Sequence, residues 1–266
     1  MTDQPFVLTA SKNNVLTITL NRPSARNALS TDLMRSLLLA LDESAEDNTT
    51  KVIVLAAEGT VFCAGHDLKE MTARRADPDN GLGFYRELFA QCSHLMQTIV
   101  HHPVPVIAKV QGIATAAGCQ LVASCDLAVA ANNVRFVTPG VNIGLFCSTP
   151  MVALSRNLTR KAAMEMLLTG EFVDADGAKA LGLVNTVVEL DNLDAETSAL
   201  AKLIASKPTA TLRWGKEAYY RQLELGLSSA YDYVGEVMVQ NMMHGEAVEG
   251  IGAFLEKRPP KWPEKQ

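Results

Sequence analysis

Pro105-Val106-Ile107-Ala108-Lys109-Val110-Gln111-Gly112-Ile113-Ala114-Thr115-Ala116-Ala117-Gly118-Cys119-Gln120-Leu121 (residues 105–121) runs from a β-branched apolar segment through small residues toward a helix. Pro105 to Val110 reads as a buried strand. The small residues after it expose main-chain N–H groups and let a ligand come close to the backbone. A second passage of this kind lies upstream. Lys51 to Ala57 is a buried strand, and Phe62-Cys63-Ala64-Gly65-His66-Asp67-Leu68-Lys69-Glu70-Met71 leads from it toward a helix, whose N-terminus adds positive potential. Either turn alone is what ordinary strand–helix packing produces. Two in one chain carry more weight.

Outward from these passages, Val15 to Leu20 alternates as a strand and stops at Asn21-Arg22-Pro23, and Leu127 to Ala130 reads as another strand. Ser30-Thr31-Asp32 caps a helix with Leu33, Met34, Leu37, Leu38 and Leu41 on one face. A further helix runs from about Gly83 to Val100, and Met71 to Phe84 reads as a mobile loop. Alternating strands and helices predict an α/β fold with parallel pairing. From about Leu193 the strand signal stops, and helices are expected over Ala195 to Ala205, Thr211 to Leu225, Ser228 to Met243 and Glu246 to Leu255. The acidic stretch Val187 to Asp194 marks the boundary. The expected organisation is a core over 1–192 and a helical region over 193–266, either a capping or oligomerising subdomain or a continuation of one domain.

The 266 residues, 48% hydrophobic, are enough for a sizeable core. A net charge of −5 argues against nucleic acid or an anionic membrane as the main partner. No apolar run reaches the ~20 residues of a membrane span. Cys63, Cys92, Cys119, Cys125 and Cys147 are odd in number and lack metal-type pairing, so they read as reduced thiols in a cytoplasmic chain. Met1-Thr2-Asp3-Gln4-Pro5 has the character of neither a signal nor a transit peptide. His94, His101 and His102 have no ligand partner at metal spacing.

A set of motifs in order along almost the whole chain resembles the crotonase, or enoyl-CoA hydratase/isomerase, family. They are Leu20-Asn21-Arg22-Pro23 with Asn27-Ala28-Leu29, Ala64-Gly65-His66-Asp67-Leu68, Ala116-Ala117-Gly118-Cys119-Gln120-Leu121 with Cys125-Asp126, Phe136 to Gly144, Glu165 to Gly170, Ala178 to Val184, and Glu249-Gly250 with Ala253-Phe254. Gly65-His66-Asp67, Thr138-Pro139-Gly140 and Phe146-Cys147-Ser148-Thr149-Pro150 point to one subgroup within it. The resemblance implies a spiral of repeated ββα units forming two stacked sheets, C-terminal helices that build a homotrimer or hexamer, and an acyl-CoA thioester as partner. Coenzyme A is then part of the substrate, with no permanently bound cofactor, no metal, no nucleic acid and no membrane insertion.

The same resemblance implies an oxyanion hole made by the backbone N–H groups of His66 and Ala117. One such donor can be worth ~3 kcal/mol. It places the coenzyme near Arg22, Arg26, Ala64, Gly65, Asp67, Leu68 and Lys69, with Lys257 and Arg258 near a neighbouring subunit's phosphates. The two glutamates of family hydratases map to Gln120 and Gly140, and a third acid position to Ser148. None of the three is a carboxylate. A general base contributes ~10²–10⁴-fold, so hydration is expected to be weak. The His66 side chain faces either the ligand or a helix, and Cys147 reads as packing rather than as a nucleophile. Three functions stay open: an acyl-CoA hydratase/isomerase-type lyase with weak hydration, carboxylate-independent chemistry such as decarboxylation of a malonyl-type thioester, and a non-catalytic acyl-CoA binder.

Overall fold

A computed structural model describes residues 4–262. β1 (Val7–Lys12) and β2 (Val15–Leu20) form an antiparallel hairpin with Lys12 opposite Val15. Its two-residue turn, Asn13-Asn14, has φ of 53° and 62°, the left-handed pair that matches strand twist. α1 (Thr31–Glu46) starts at Ser30, whose hydroxyl accepts from the Leu33 N–H. It buries Leu33, Met34, Leu37 and Leu41; each such leucine contributes about 1.5–3 kcal/mol of apolar burial. The chain continues through β3 (Val52–Ala57), α2 (Leu68–Ala73) and α3 (Leu82–His101).

Two clear ββα units follow. The first is β4 (Val106–Val110), β5 (Ile113–Thr115) and α4 (Ala117–Ser124). The second is β6 (Leu127–Ala131), β7 (Arg135–Val137), α5 (Ser148–Asn157) and α6 (Arg160–Thr169). After β8 (Val173–Asp174), α7 (Ala175–Leu181) and β9 (Thr186–Val188), the described chain ends in α8 (Leu193–Ala205), α9 (Thr209–Leu223), α10 (Leu227–Met243) and α11 (Gly245–Leu255).

Each unit sends one strand to each sheet. The larger sheet has the order β1-β2-β3-β4-β6-β9, parallel after the first pair, and the smaller is β5-β7-β8. A parallel bridge from Cys63 to Ala114 carries the small sheet back to the turn after β3. This is the expected α/β spiral of two sheets with helices closing the chain. α8 packs on β2, β3, β4 and β6, whereas α9 packs on α3 and α10.

Two expectations change. Thr186–Val188 is the edge strand of the larger sheet rather than part of an acidic turn; three residues are too few to show a two-residue period. The Met71 to Phe84 stretch is not a free loop, because α2 and a 3-10 turn at Arg74–Ala76 fill its first half. Asp79 accepts from the Gly81 and Gly83 N–H groups at 3.0 and 2.7 Å, the Tyr85 hydroxyl donates to the Met71 carbonyl at 2.9 Å, and Arg74 covers the Phe84 ring.

Candidate functional site

Leu29 and His66 form a parallel bridge in which the Leu29 N–H donates to Gly65 O at 2.7 Å and the Asp67 N–H donates to Leu29 O at 3.3 Å. In a parallel ladder the residue between the two bonded positions turns its own N–H away from that partner. The His66 N–H accordingly points away from Leu29, and among the described residues it has no protein acceptor. On the second turn the Thr115 N–H donates to Cys63 O at 2.9 Å and the Ala116 N–H to Val137 O at 2.8 Å. Ala116 then adopts φ 49°, ψ −114°, a region that side chains other than glycine rarely occupy and that costs free energy to hold. The sharp reversal makes Ala117 the first residue of α4, where no intrahelical acceptor exists; its N–H is also without a protein acceptor among the described residues.

The two turns touch backbone to backbone. A Cβ added at Gly65, where φ is +81°, would lie 2.9 Å from Thr115 O and 3.3 Å from Ala117 N. One at Gly118 would lie 2.2 Å from Cys63 O. Glycine is needed at both positions for close approach.

Asp67 holds the first turn in place. Its carboxylate accepts from the Lys69 and Glu70 N–H groups at the start of α2 and from Arg22 Nη1 at 2.7 Å. Burial pulls this carboxyl upward, but Arg22 and the two N–H groups outweigh it and leave the pKa below the ordinary range. Arg22 also donates to Ala28 O, so it clamps the two ends of the 22–29 turn to the loop. Arg26 and Lys69 are exposed, and Arg26 O accepts from the Ala64 N–H at 3.0 Å. Leu68 is half-exposed beside them.

The His66 ring lies edge-on to Phe89 of α3, with centroids 5.5 Å apart. Both ring nitrogens are shut off from solvent, and neither reaches a partner at full hydrogen-bond geometry, although the Leu29 backbone lies near enough to act on the ring's charge. Burial holds the imidazole pKa below its ordinary value, opposed only in part by the Leu29 backbone and Glu70. Glu70 itself is occupied by Thr31, accepting from its hydroxyl at 2.5 Å and its N–H at 3.1 Å. Gln120 is buried on α4, its carboxamide oxygen 4.0 Å from Cys92 Sγ. Phe89 and Cys92 are one turn apart on α3 and share a face. The sequence reading named Cys92 only as a reduced thiol and Phe89 not at all, because their apolar spacing looks like any buried helix stripe.

The remaining acid positions differ from Gln120. Gly140 is buried in a 3-10 turn, Pro139–Ile143, and a Cβ there would lie 2.8 Å from Leu145 O and 2.9 Å from Cys147 Sγ. Leu145 N–H closes the turn onto Gly140 O at 2.9 Å. Ser148 is exposed at the first turn of α5. At the C-terminal end, Arg258 is held by Glu249 and Glu256, both at 2.6 Å, while Lys257 is exposed.

All five cysteines are buried and unpaired. Burial pushes the Cys63 and Cys119 thiols up to about 12 and raises Cys147, the opposite of an activated nucleophile. Among the described residues no group of three or more His, Cys, Asp or Glu could hold a metal, and no helix is long and apolar enough to cross a membrane. A cavity of about 200 Å³ beside α8, lined by Lys12, Lys109, Thr197 and Lys202 among others, includes neither turn.

Two touching turns with outward N–H groups, set in a ββα spiral, place the chain in a class, and sequence comparison agrees. The family described as Enoyl-CoA hydratase/isomerase matches residues 10–265, and the chain belongs to it. More narrowly, it is closely related to the subgroup that the His66 and Phe146–Pro150 motifs single out, enoyl-CoA hydratase domain-containing protein 3. The rat protein of that name is 46% identical over 254 residues, 96% of this chain and 83% of its own. The crystal structure of the human protein superposes with a TM-score of 0.92 at 46% identity, covering 97% of this chain and 100% of that one. An enoyl-CoA hydratase from Mycobacterium smegmatis gives 0.93 at 54%, covering 97% and 99%.

The cytoplasmic expectation is corrected by the same relatives. The rat, mouse, Xenopus, human and zebrafish proteins are all named mitochondrial. Reduced cysteines and a mild negative charge do not distinguish one reducing interior from another.

Proposed function

We propose that the chain binds an acyl-CoA thioester and stabilises negative charge on its acyl oxygen through the N–H groups of His66 and Ala117. The observation that carries this reading is that both N–H groups lack protein acceptors where the two turns meet. Preorganised donors of this kind act on charge that develops in an enolate-like transition state, at ~3 kcal/mol for one donor. Arg26 and Lys69, exposed beside the first turn, are suited to the coenzyme's phosphates, while Arg22 acts by holding Asp67. Lys257 serves a neighbouring subunit's coenzyme if the chain self-associates.

With Gln120, Gly140 and Ser148 at the acid positions, water activation has no carboxylate to use. Hydration is therefore slow. The closed space at Gly140 favours carboxylate-independent chemistry, such as decarboxylation of a malonyl-type thioester, as the second reading. Self-association as a homotrimer or hexamer fits the helical region over 193–266, where Leu227, Met243 and Phe254 are 78%, 81% and 81% exposed.

The test pairs binding with turnover. Crotonyl-CoA is expected to bind at least tenfold more tightly than its thioether analogue, which lacks the acyl oxygen, and to be hydrated ~10²–10⁴-fold more slowly than by a relative with both glutamates. Equal binding of the thioether overturns the oxygen site. Turnover matching the relative overturns the demotion of hydration.

A further inference from the structure

A strand paired in parallel on both sides is ordinarily apolar on both faces. β4 is such a strand, fourth in order in the larger sheet, and Lys109 is its exception. The Lys109 ammonium meets Asp194 at 2.6 Å, but the Asp194 side chain is 83% exposed. Asp194 begins a stripe of α8 that continues through Thr197, Ser198, Ala201 and Lys202, spaced to share one helical face. α8 packs on β2, β3, β4 and β6, and a stripe turned toward a sheet is expected to be apolar. Here only Ala201 is. All five residues line the cavity of about 200 Å³ together with Lys109, and Lys12 of the β1–β2 hairpin joins them. Lys12 stands opposite Val15, which also lines the cavity, so both side chains lie on that face of the sheet. Lys12 and Lys202 form no ion pair among the described residues. Thr197 is 2% exposed, and its hydroxyl has no hydrogen-bond partner among the described residues.

We propose that this cavity is a binding site for a small phosphorylated anion, held by Lys12, Lys109 and Lys202 and separate from the two turns. Three lysines from three elements face one aspartate, a formal surplus of two positive charges. Like charges around a partly enclosed space raise its potential and draw in an anion. A phosphate monoester carries about −1.5 to −2 at pH 7 and so matches the surplus, whereas a single carboxylate leaves half of it unmet. The Ser198 hydroxyl and the Asn13 amide at the rim supply neutral donors. The volume lies below the about 300–1,000 Å³ of pockets that hold drug-sized ligands, so a phosphoryl group with a few further atoms fills it. An exposed acid holds its partner weakly, so the incoming anion displaces Asp194 from Lys109. The occupant then ties the hairpin, β4 and α8 to one another.

Calorimetric titration of the full chain with inorganic phosphate and with glycerol phosphate, at constant ionic strength, tests the proposal. Wild type is expected to bind at least one of them with a dissociation constant of about 1 mM or below. Tighter binding of glycerol phosphate points to a phosphorylated small molecule, the reverse order to the free ion, and either supports the site. K12M and K202M should each weaken binding about three- to fivefold, and D194N should tighten it by a similar factor. Opposite signs from lysine and aspartate on one cavity are what an anion site requires, and a packing role would not produce them. K69M, at the first turn, should leave phosphate binding unchanged, and K202M should leave crotonyl-CoA affinity within about twofold of wild type. No binding of either probe at about 10 mM overturns the proposal, as does affinity that survives the K12M/K202M double variant. Weakening by K69M in place of K202M also overturns it and moves the anion to the first turn. None of these outcomes depends on whether an acyl-CoA binds at the two turns.

Discussion

Two histidines meet α3, His66 against Phe89 along its length and His102 at its C-terminal end, and the hydrogen bonding of their rings differs. His102, just past the end of the helix, has every polar atom engaged: Nδ1 accepts from the Val104 N–H at 3.2 Å, and Nε2 faces Leu41 O and Ser44 Oγ at 3.2 and 3.1 Å. Next to it Lys216 of α9 meets Asp126 at 2.6 Å and the Ile99 and Val104 carbonyls at 3.1 and 3.2 Å. Tyr220 and the Val106 N–H complete the Asp126 carboxylate. The His66 ring nitrogens, by contrast, have no partner at hydrogen-bond geometry, and the ring is held by Phe89. A saturated buried network fixes structure, since its groups have already given up water for one another. An unsaturated one is either a cost without return or half of a binding site.

The sharpest way to break the comparison is to attack the saturated side. In K216M the Asp126 carboxylate stays buried without its ion, and removing one partner of a buried pair costs about 3–5 kcal/mol. Urea unfolding should show a loss of that size, with the acyl-CoA affinity of the folded protein within about twofold of wild type. A loss below about 1 kcal/mol would mean that the cluster holds α9 less firmly than its hydrogen bonds imply.

On the unsaturated side the corresponding change is G65A. Its Cβ would come within 3.3 Å of Ala117 N and must be carried at φ +81°, a conformation that costs about 1–2 kcal/mol for a side-chain-bearing residue. Affinity for crotonyl-CoA should fall about 100-fold, more than stability does when both are expressed as free energy. If binding survives and only stability falls, the junction of the two turns is a packing feature.

Smaller again is the response to restoring acids. Q120E places a carboxylate where a side chain already fits, and crotonyl-CoA hydration should rise about tenfold, a fraction of what a fully placed base supplies. G140E should give no gain and a lower Tm, because Leu145 O and Cys147 Sγ occupy the space its Cβ needs. The double variant should then be no better than Q120E. A gain from G140E would show that the 144–147 segment yields readily.

Four of the five strands of five or six residues, and most long helices, could be read from the sequence because each exceeds a full period of its pattern; β1, nearly all exposed, shows no apolar pattern to read. β5, β7, β8 and β9, at two or three residues, could not. The two turns were readable as small residues between strand and helix, and family likeness added which N–H groups to examine. Three features had no one-dimensional signal. Ala116 at positive φ looks like any alanine, the closure around Gly140 depends on residues 145 and 147 folding back, and the Arg22–Asp67 clamp joins positions 45 residues apart. The Arg22 charge reads as a coenzyme ligand until its partner is seen.

The least perturbing probe of the two histidines is pH. Burial lowers the pKa of both His66 and His102 in the folded state, so the unfolded chain binds more protons wherever the pH lies near or below the ordinary histidine value of about 6.5. Stability must then rise with pH through that region, be fully present above it, and be lost as the solution is acidified. Urea titrations between about pH 7.5 and pH 5.5 should show this decline in wild type and a shallower one in H66F, where one of the two contributors is gone. The residual slope belongs chiefly to His102, and its size relative to the wild-type slope separates the saturated histidine from the unsaturated one. An unchanged slope in H66F would mean that His66 titrates in the folded protein as freely as in the unfolded chain. Its ring would then already be in contact with water, and it could not be the dry, unpartnered group that the contrast with His102 requires.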